Sequence, residues 1–259
     1  MTIARVLVIA GSDSGGGAGI QADIKTVMAF GGHAMTAITA ITAQNTRGVT
    51  EVVTLEPAMV VAQIDAVLSD IGADAIKIGM IGSPAIAEAV ADRLARDDAR
   101  LPLVFDPVMV ATSGAVLADA RTIAAFERLM AQATLITPNI PELAVLSPDG
   151  AGALARRTGA AVLAKGGHGE GALLVDALIA PDGTRRDWSD PRIETRHTHG
   201  TGCTLASAIA AGLARGDPLV DSVAAARVYV RRAIEAAPGL GRGNGPLGHA
   251  KAAGINSAI

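Results

Sequence analysis

Val6-Leu7-Val8-Ile9-Ala10, closed by Gly11-Ser12-Asp13, is the stretch that decides the fold class. A short apolar run ended by turn formers reads as a strand buried on both faces, the kind that parallel sheets contain. The pattern recurs at 75–78, 103–105, 135–137 and 161–164, each run bounded by Gly, Pro or Asp. Residues 33–42 alternate less clearly and read as a further strand. Residues 173–180 and 184–188 flank Pro181-Asp182-Gly183, a hairpin with an Asp-Gly turn. Helix signals lie between the strands. Pro57 leads into Val60, Ile64, Val67, Leu68 and Ile71, a one-face stripe. Ser83-Pro84 starts a helix running to 96 and Asp217-Pro218 one running to 236, while Gly216 ends the helix before it. Strands alternating with helices predict an α/β fold, a mostly parallel sheet covered on both faces.

The 259 residues suit one domain, 1–259, since no linker or repeat divides them. Half are hydrophobic, enough for a large core. A net charge of −3 and 2% aromatic residues argue against a nucleic-acid-binding role. The single cysteine, Cys203, forms no internal disulfide and fits a reducing compartment. The start of the chain lacks a signal peptide's basic segment and long apolar region. No run approaches the roughly 20 apolar residues of a membrane span. The expected setting is cytoplasmic.

In open α/β sheets ligands bind outside the carboxyl ends of the strands. Gly11-Ser12-Asp13, residues 77–82, Asp106-Pro107, Pro138-Asn139 and Lys165-Gly166-Gly167 all fall at such ends. His197-Thr198-His199-Gly200-Thr201-Gly202-Cys203 then supplies a glycine turn feeding an apolar helix. A helix start gathers free N–H groups, favours anions and can lower a thiol pKa. Residues 14–19 form a glycine-rich loop that is neither a Walker loop nor a dinucleotide fingerprint, and it reads as a loop closing over a small ligand. Asp23, on the first turn of the next helix, is placed to face the crevice. Asp106 and Glu142 are candidates for Mg²⁺, which takes few carboxylates plus phosphate oxygens. Lys165 is placed to meet phosphate. Each of these also has a plain structural reading, as a helix cap, a solvated acid or a surface lysine. Zinc at His197, His199 and Cys203 lacks ligands, and no G-x-S-x-G elbow is present. An anion hole, two acids and a strand-end lysine together point to phosphoryl transfer.

These residues carry a resemblance. Residues 10–13 (Ala-Gly-Ser-Asp), 16–23 (ending Gln-Ala-Asp), 43–49 (beginning Ala-Gln-Asn-Thr), 77–80, 106–109, 137–142, 165–168 and 197–204 together resemble the hydroxymethylpyrimidine/phosphomethylpyrimidine kinases of thiamine biosynthesis, within the ribokinase-like superfamily. The resemblance implies a three-layer α/β/α fold, ATP, Mg²⁺, a homodimer and two successive phosphorylations of 4-amino-5-hydroxymethyl-2-methylpyrimidine. By motif, Gln44 hydrogen-bonds the pyrimidine in a pocket lined by Gly11, Asp23, Met80 and Val108. Cys203 stands where sugar kinases carry an aspartate base, and a partly ionised thiol there accepts the hydroxyl proton. Amides of Gly200, Thr201, Gly202 and Cys203 stabilise the transferring phosphoryl group, with Asn139 and Lys165 on the nucleotide side and Asp106 and Glu142 toward the metal. Two departures stand out: Thr112, where relatives often have lysine, and a short segment between Leu146 and Gly159. A pyridoxal-type kinase of the same superfamily is the alternative among enzymes, and a binding protein without turnover the alternative outside them. An NAD-type oxidoreductase lacks its fingerprint.

Overall fold

The computed structural model describes residues 3–96, 100–110, 114–168 and 171–254. In chain order the elements are β1 (Arg5–Asp13), α1 (Gly19–Ala29), β2 (His33–Asn45), β3 (Gly48–Thr54), α2 (Pro57–Asp70), β4 (Ala75–Ile78), α3 (Pro84–Leu94), β5 (Leu103–Phe105), α4 (Ala120–Met130), β6 (Leu135–Ile136), α5 (Ile140–Leu146), α6 (Ala151–Thr158), β7 (Ala161–Ala164), β8 (Leu173–Ile179), β9 (Arg185–Pro191), α7 (Thr201–Ala214), α8 (Leu219–Glu235) and α9 (His249–Ala252). The strands form one nine-stranded sheet in the order β3-β2-β1-β4-β5-β6-β7-β8-β9. From β2 through β7 every pairing is parallel. The two outer additions, β3 at one edge and the β8–β9 hairpin at the other, are antiparallel. The α/β expectation therefore holds.

Alternation along β1 builds the three layers. Leu7 and Ile9 point into one core with Val60, Ile64, Ile86, Val90, Phe126 and Leu129 of α2, α3 and α4. Val6, Val8 and Ala10 point the other way, onto Ile20, Val27, Leu205, Ile209 and Val223 of α1, α7 and α8. Each pleat step thus buries a side chain, which is why the run carries no polar residue until Ser12.

Several boundaries moved. The strand expected at 33–42 runs on to Asn45, and β3, which lacks a buried face, was not anticipated: all seven of its residues are partly or fully exposed. Ser83 caps α3 as expected, its side chain accepting the Ile86 N–H. The helix at 219 differs: Pro218 is its N-cap, and Asp217 instead pairs with Arg215. Among the described residues no helix is long and apolar enough to cross a membrane.

The strand order places β1 at the topological switch, with β2 on one side and β4 on the other. That is where the carboxyl ends part and a ligand crevice opens.

Candidate active site

The crevice is bounded by the ends of β1, β2, β4, β5 and β7 and by the start of α7. Gly200 is the N-cap of α7 at φ +86°, a left-handed conformation suited to glycine. A Cβ there would sit 1.9 Å from the Gly17 carbonyl oxygen, so the turn before α7 is pressed against the glycine-rich loop. Gly202 faces the other side: a Cβ on it would lie 3.4 Å from both Asp106 Oδ2 and Lys165 Nζ. The first amides of a helix have no intrahelical acceptor. The anion-favouring helix start, an acid from β5 and a lysine from the end of β7 thus converge on one small volume.

The charges are arranged pairwise. Lys165 Nζ lies 2.8 Å from Asp106 Oδ1, which also accepts the Thr137 hydroxyl at 2.9 Å. Burial works against the Asp106 charge, but Lys165 and Lys77 outweigh it and hold the carboxyl below its ordinary range. Glu142 moves the other way: burial and the neighbouring Asp106 push it up against the pull of Lys165. The N–H of Glu142 is capped by the Asn139 side chain, and its carboxylate accepts the Asn139 N–H, a reciprocal capping box at the start of α5. Both residues were expected at the nucleotide and metal side. The structure places Asn139 beside Lys165, through a parallel bridge, and Glu142 three residues further on, with the Asn139 oxygen committed to the cap.

Two expectations are corrected. Asp23 does not face the crevice. It lies beyond the first turn of α1, wholly buried, 2.9 and 3.0 Å from Lys77 Nζ, and accepts the Ser207 hydroxyl at 2.7 Å. An ion pair closed on itself has no valence left for a pyrimidine. Nor is Cys203 partly ionised: burial pushes its thiol up to about 11, with Asp23 and Asp106 adding to burial and Lys77 and the Gly19 backbone opposing. Desolvation outweighs the opposing charges at this helix start.

On the acceptor side, Gly11 and Met80 touch: a Cβ on Gly11 would lie 3.0 Å from Met80 Sδ. Gln44, near the end of β2, reaches Thr42 Oγ1 at 3.2 Å and His199 Nε2 at 3.3 Å. Val108 follows Asp106 by two residues and is half-buried, its N–H bound to the Asp106 carbonyl. Thr112 lies outside the described residues. Sequence reasoning passed over Asp13, Thr137, Lys77 and Ser207 as site residues. Lys77 had a signal, a charge inside the apolar strand Ala-Ile-Lys-Ile.

The phosphomethylpyrimidine kinase family model matches residues 13–248. The chain belongs to that family. The hydroxymethylpyrimidine/phosphomethylpyrimidine kinase of Rhizobium meliloti (strain 1021) is 49% identical over 260 residues, covering 95% of this chain and 97% of that one. Among solved structures, phosphomethylpyrimidine kinase from Clostridium difficile 630 is 38% identical with a TM-score of 0.77, covering 89% of this chain and 99% of that one. An ADP complex of Bacillus subtilis pyridoxal kinase is 32% identical with a TM-score of 0.88, covering 98% and 100%. The expected three-layer, ribokinase-like architecture is thus shared by phosphomethylpyrimidine and pyridoxal kinases alike, so the overall fold does not separate the two acceptors.

Proposed function

We propose that this chain phosphorylates the hydroxymethyl group of 4-amino-5-hydroxymethyl-2-methylpyrimidine with ATP, and then the resulting monophosphate, supplying the pyrimidine diphosphate for thiamine diphosphate biosynthesis. Family membership supports the reaction class, and the convergence of Asp106, Lys165 and Gly202 at the start of α7 carries the mechanism.

In each round the acceptor oxygen forms a bond to the γ-phosphorus while the bond to ADP breaks. Amides of Gly200, Gly202 and Cys203 take the charge that develops on the phosphoryl oxygens, and the Thr201 N–H, which donates to the Thr198 carbonyl, has to turn from it to join them. Lys165 neutralises the donor phosphates. Asn139 and the Thr201–Gly202 turn face the nucleotide. Asp106 and Glu142 fit a Mg²⁺ ion: both are oxygen donors, both are buried, and Glu142 is raised in part by Asp106, a repulsion that a divalent cation relieves. Such an ion supplies charge neutralisation on the phosphates. Gly11, Met80 and Val108 border the acceptor ring, and Gln44 offers it both a donor and an acceptor. Cys203 stands beside the transfer path. Its thiol is protonated at neutral pH, so the thiolate that takes the hydroxyl proton is a minority form.

The unbroken sheet supports reading 1–259 as one kinase domain. A homodimer in the cytoplasm is the expected state. Ile41 and Val53 support the dimer: they are cross-strand neighbours on β2 and β3, 52% and 54% exposed, at an apolar edge that a second copy can cover.

The test is coupled ADP release with ATP and Mg²⁺, offering the hydroxymethylpyrimidine, its monophosphate and pyridoxal separately. Turnover of both pyrimidines ahead of pyridoxal is expected. Preference for pyridoxal moves the assignment to the vitamin B6 kinases, and no turnover with any acceptor overturns it.

A further inference from the structure

The Asp13 carboxylate at the end of β1 is fully engaged. Oδ1 accepts the Gly15 N–H at 2.8 Å; Oδ2 accepts those of Gly17 at 3.0 Å and Ala18 at 2.8 Å and lies 2.9 Å from His199 Nε2. A carboxylate holding three amide hydrogens acts only as an acceptor, so His199 Nε2 carries a hydrogen and donates it. The ring cannot swing away: a Cβ on Gly17 would sit 2.4 Å from His199 Cδ2, so the glycine loop lies directly against it.

That fixes Gln44. Its Nε2 lies 3.3 Å from the same His199 Nε2, which would set two donors against each other. The two ends of a carboxamide occupy nearly the same envelope, and the hydrogen-bond network decides which is oxygen. A half-turn of the amide turns the oxygen toward His199, whose one Nε2 hydrogen goes to Asp13 at 2.9 Å and is shared with the Gln44 carbonyl at 3.3 Å. The same half-turn places the nitrogen on Thr42 Oγ1, which gives its own hydrogen to the Ser12 carbonyl at 2.8 Å and so has lone pairs free to accept. No two donors then oppose each other. One N–H and one carbonyl lone pair of Gln44 remain unused.

We propose that Asp13 and His199 are specificity-determining positioning residues: they fix which end of the Gln44 amide is oxygen, so that its unused N–H and carbonyl read a ring nitrogen beside an exocyclic amino group on the acceptor. This rests on the reading that Gln44 meets the acceptor ring. An acceptor without that adjacent pair satisfies at most one of the two groups and leaves the other unpaired, which is the stronger basis of discrimination.

The experiment compares the wild type, His199→Leu and His199→Gln. It measures kcat and KM for the 4-amino-pyrimidine and for its analogue carrying methyl in place of amino, and the Kd for ATP. The wild type should favour the amino compound. His199→Leu should lose that preference by about tenfold or more, through KM, with ATP affinity within about twofold. His199→Gln, which still presents an N–H, should recover most of it. An unchanged preference in His199→Leu overturns the proposal. A wild type that phosphorylates neither pyrimidine overturns the functional reading and this inference with it. A measurement on the wild type guards against a variant that does not fold: the ¹⁵N spectrum of the labelled histidine rings should show His199 Nε2 protonated, and a bare Nε2 overturns the proposal.

Discussion

Lys77 Nζ lies 2.9 Å from Asp23 Oδ1, and neither side chain is exposed to solvent at all. The pair ties α1 to β4 beneath the crevice, and Ser207 of α7 closes the remaining valence of the carboxylate. Burial disfavours the ammonium, but the neighbouring carboxylates, Asp23 ahead of Asp106, outweigh it and hold Lys77 above its ordinary value. Removing one partner leaves a lone buried charge, whereas removing both does not. Lys77→Met should therefore lower the unfolding free energy by about 3–5 kcal/mol. The double variant Lys77→Met/Asp23→Leu should recover much of that loss in urea melts. A double variant no more stable than the single one would deny the coupling.

Gly202 and Gly200 separate space for ligand from space for fold. In Gly202→Ala the new methyl makes an ordinary 3.4 Å contact with Asp106 and Lys165 and occupies ground that the proposed mechanism gives to phosphate. Turnover should fall by roughly 100-fold, comparable to loss of one oxyanion donor, with the melting temperature nearly unchanged. Gly200→Ala forces a side chain into φ +86° and onto the Gly17 carbonyl, and should cost about 2 kcal/mol or more of stability. Paired thermal melts and ADP-release assays check both. A Gly202→Ala enzyme as active as the wild type would take the start of α7 out of the transfer path.

The protonation of Cys203 gives a pH prediction. Its folded-state value of about 11 lies above the ordinary thiol value of 9.0. Burial favours the neutral thiol, so its contribution to stability is fully present below pH 9 and lost as pH rises through 11. Cys203 is the only cysteine, so thiolate absorbance and iodoacetamide uptake read it alone. The titration midpoint should fall near 11. If the thiolate is the base, kcat should climb about tenfold per pH unit between pH 7 and 9. A flat profile over that range, with the thiol still titrating near 11, assigns the proton elsewhere and leaves Cys203 a contact residue.

Most of the architecture was legible because buried parallel strands announce themselves: 75–78, 103–105 and 161–164 match their observed bounds residue for residue. β3 was not, since a strand with no buried face carries no period to read. In the site, position along the chain located Gly11, Asp106 and Lys165 at strand ends and Glu142 just past one, and the family motif supplied Gln44, but neither could say which partner each side chain takes. Asp23 sits next to the crevice in sequence logic and beneath it in space, because Lys77, the third residue of β4 and 54 positions later, claims it. The thiol was misjudged for a related reason. A helix start is visible in a sequence, whereas the depth of the atoms above it is not. His199 was weighed only against zinc, since its true partners, Asp13 and Gln44, come from two other strands.

His249 supplies a prediction about acid. It is 5% exposed, at the start of α9, with Nε2 2.9 Å from the Thr204 hydroxyl of α7, and its carbonyl accepts the Tyr229 hydroxyl. Burial, helped by Lys25, depresses its pKa from 6.5 to about 4. The unfolded chain therefore takes up the proton first as pH falls. The ring costs nothing above pH 6.5, and stability is lost progressively down to about pH 4, by at most roughly 3 kcal/mol. Carboxylates also titrate in that window, so the informative quantity is a difference. His249→Leu should lose some stability at pH 7, where it orphans the Thr204 hydroxyl, and should lose less than the wild type on going from pH 7 to 4.5. Because Thr204 follows Cys203 directly, protonation of His249 should loosen the first turn of α7 before the protein unfolds. Hydrogen exchange of the amides at 204–208 should accelerate between pH 6 and 4.5 in the wild type more than in His249→Leu. Equal acid sensitivity of the two proteins in both measurements would show that the ring takes its proton without disturbing α7.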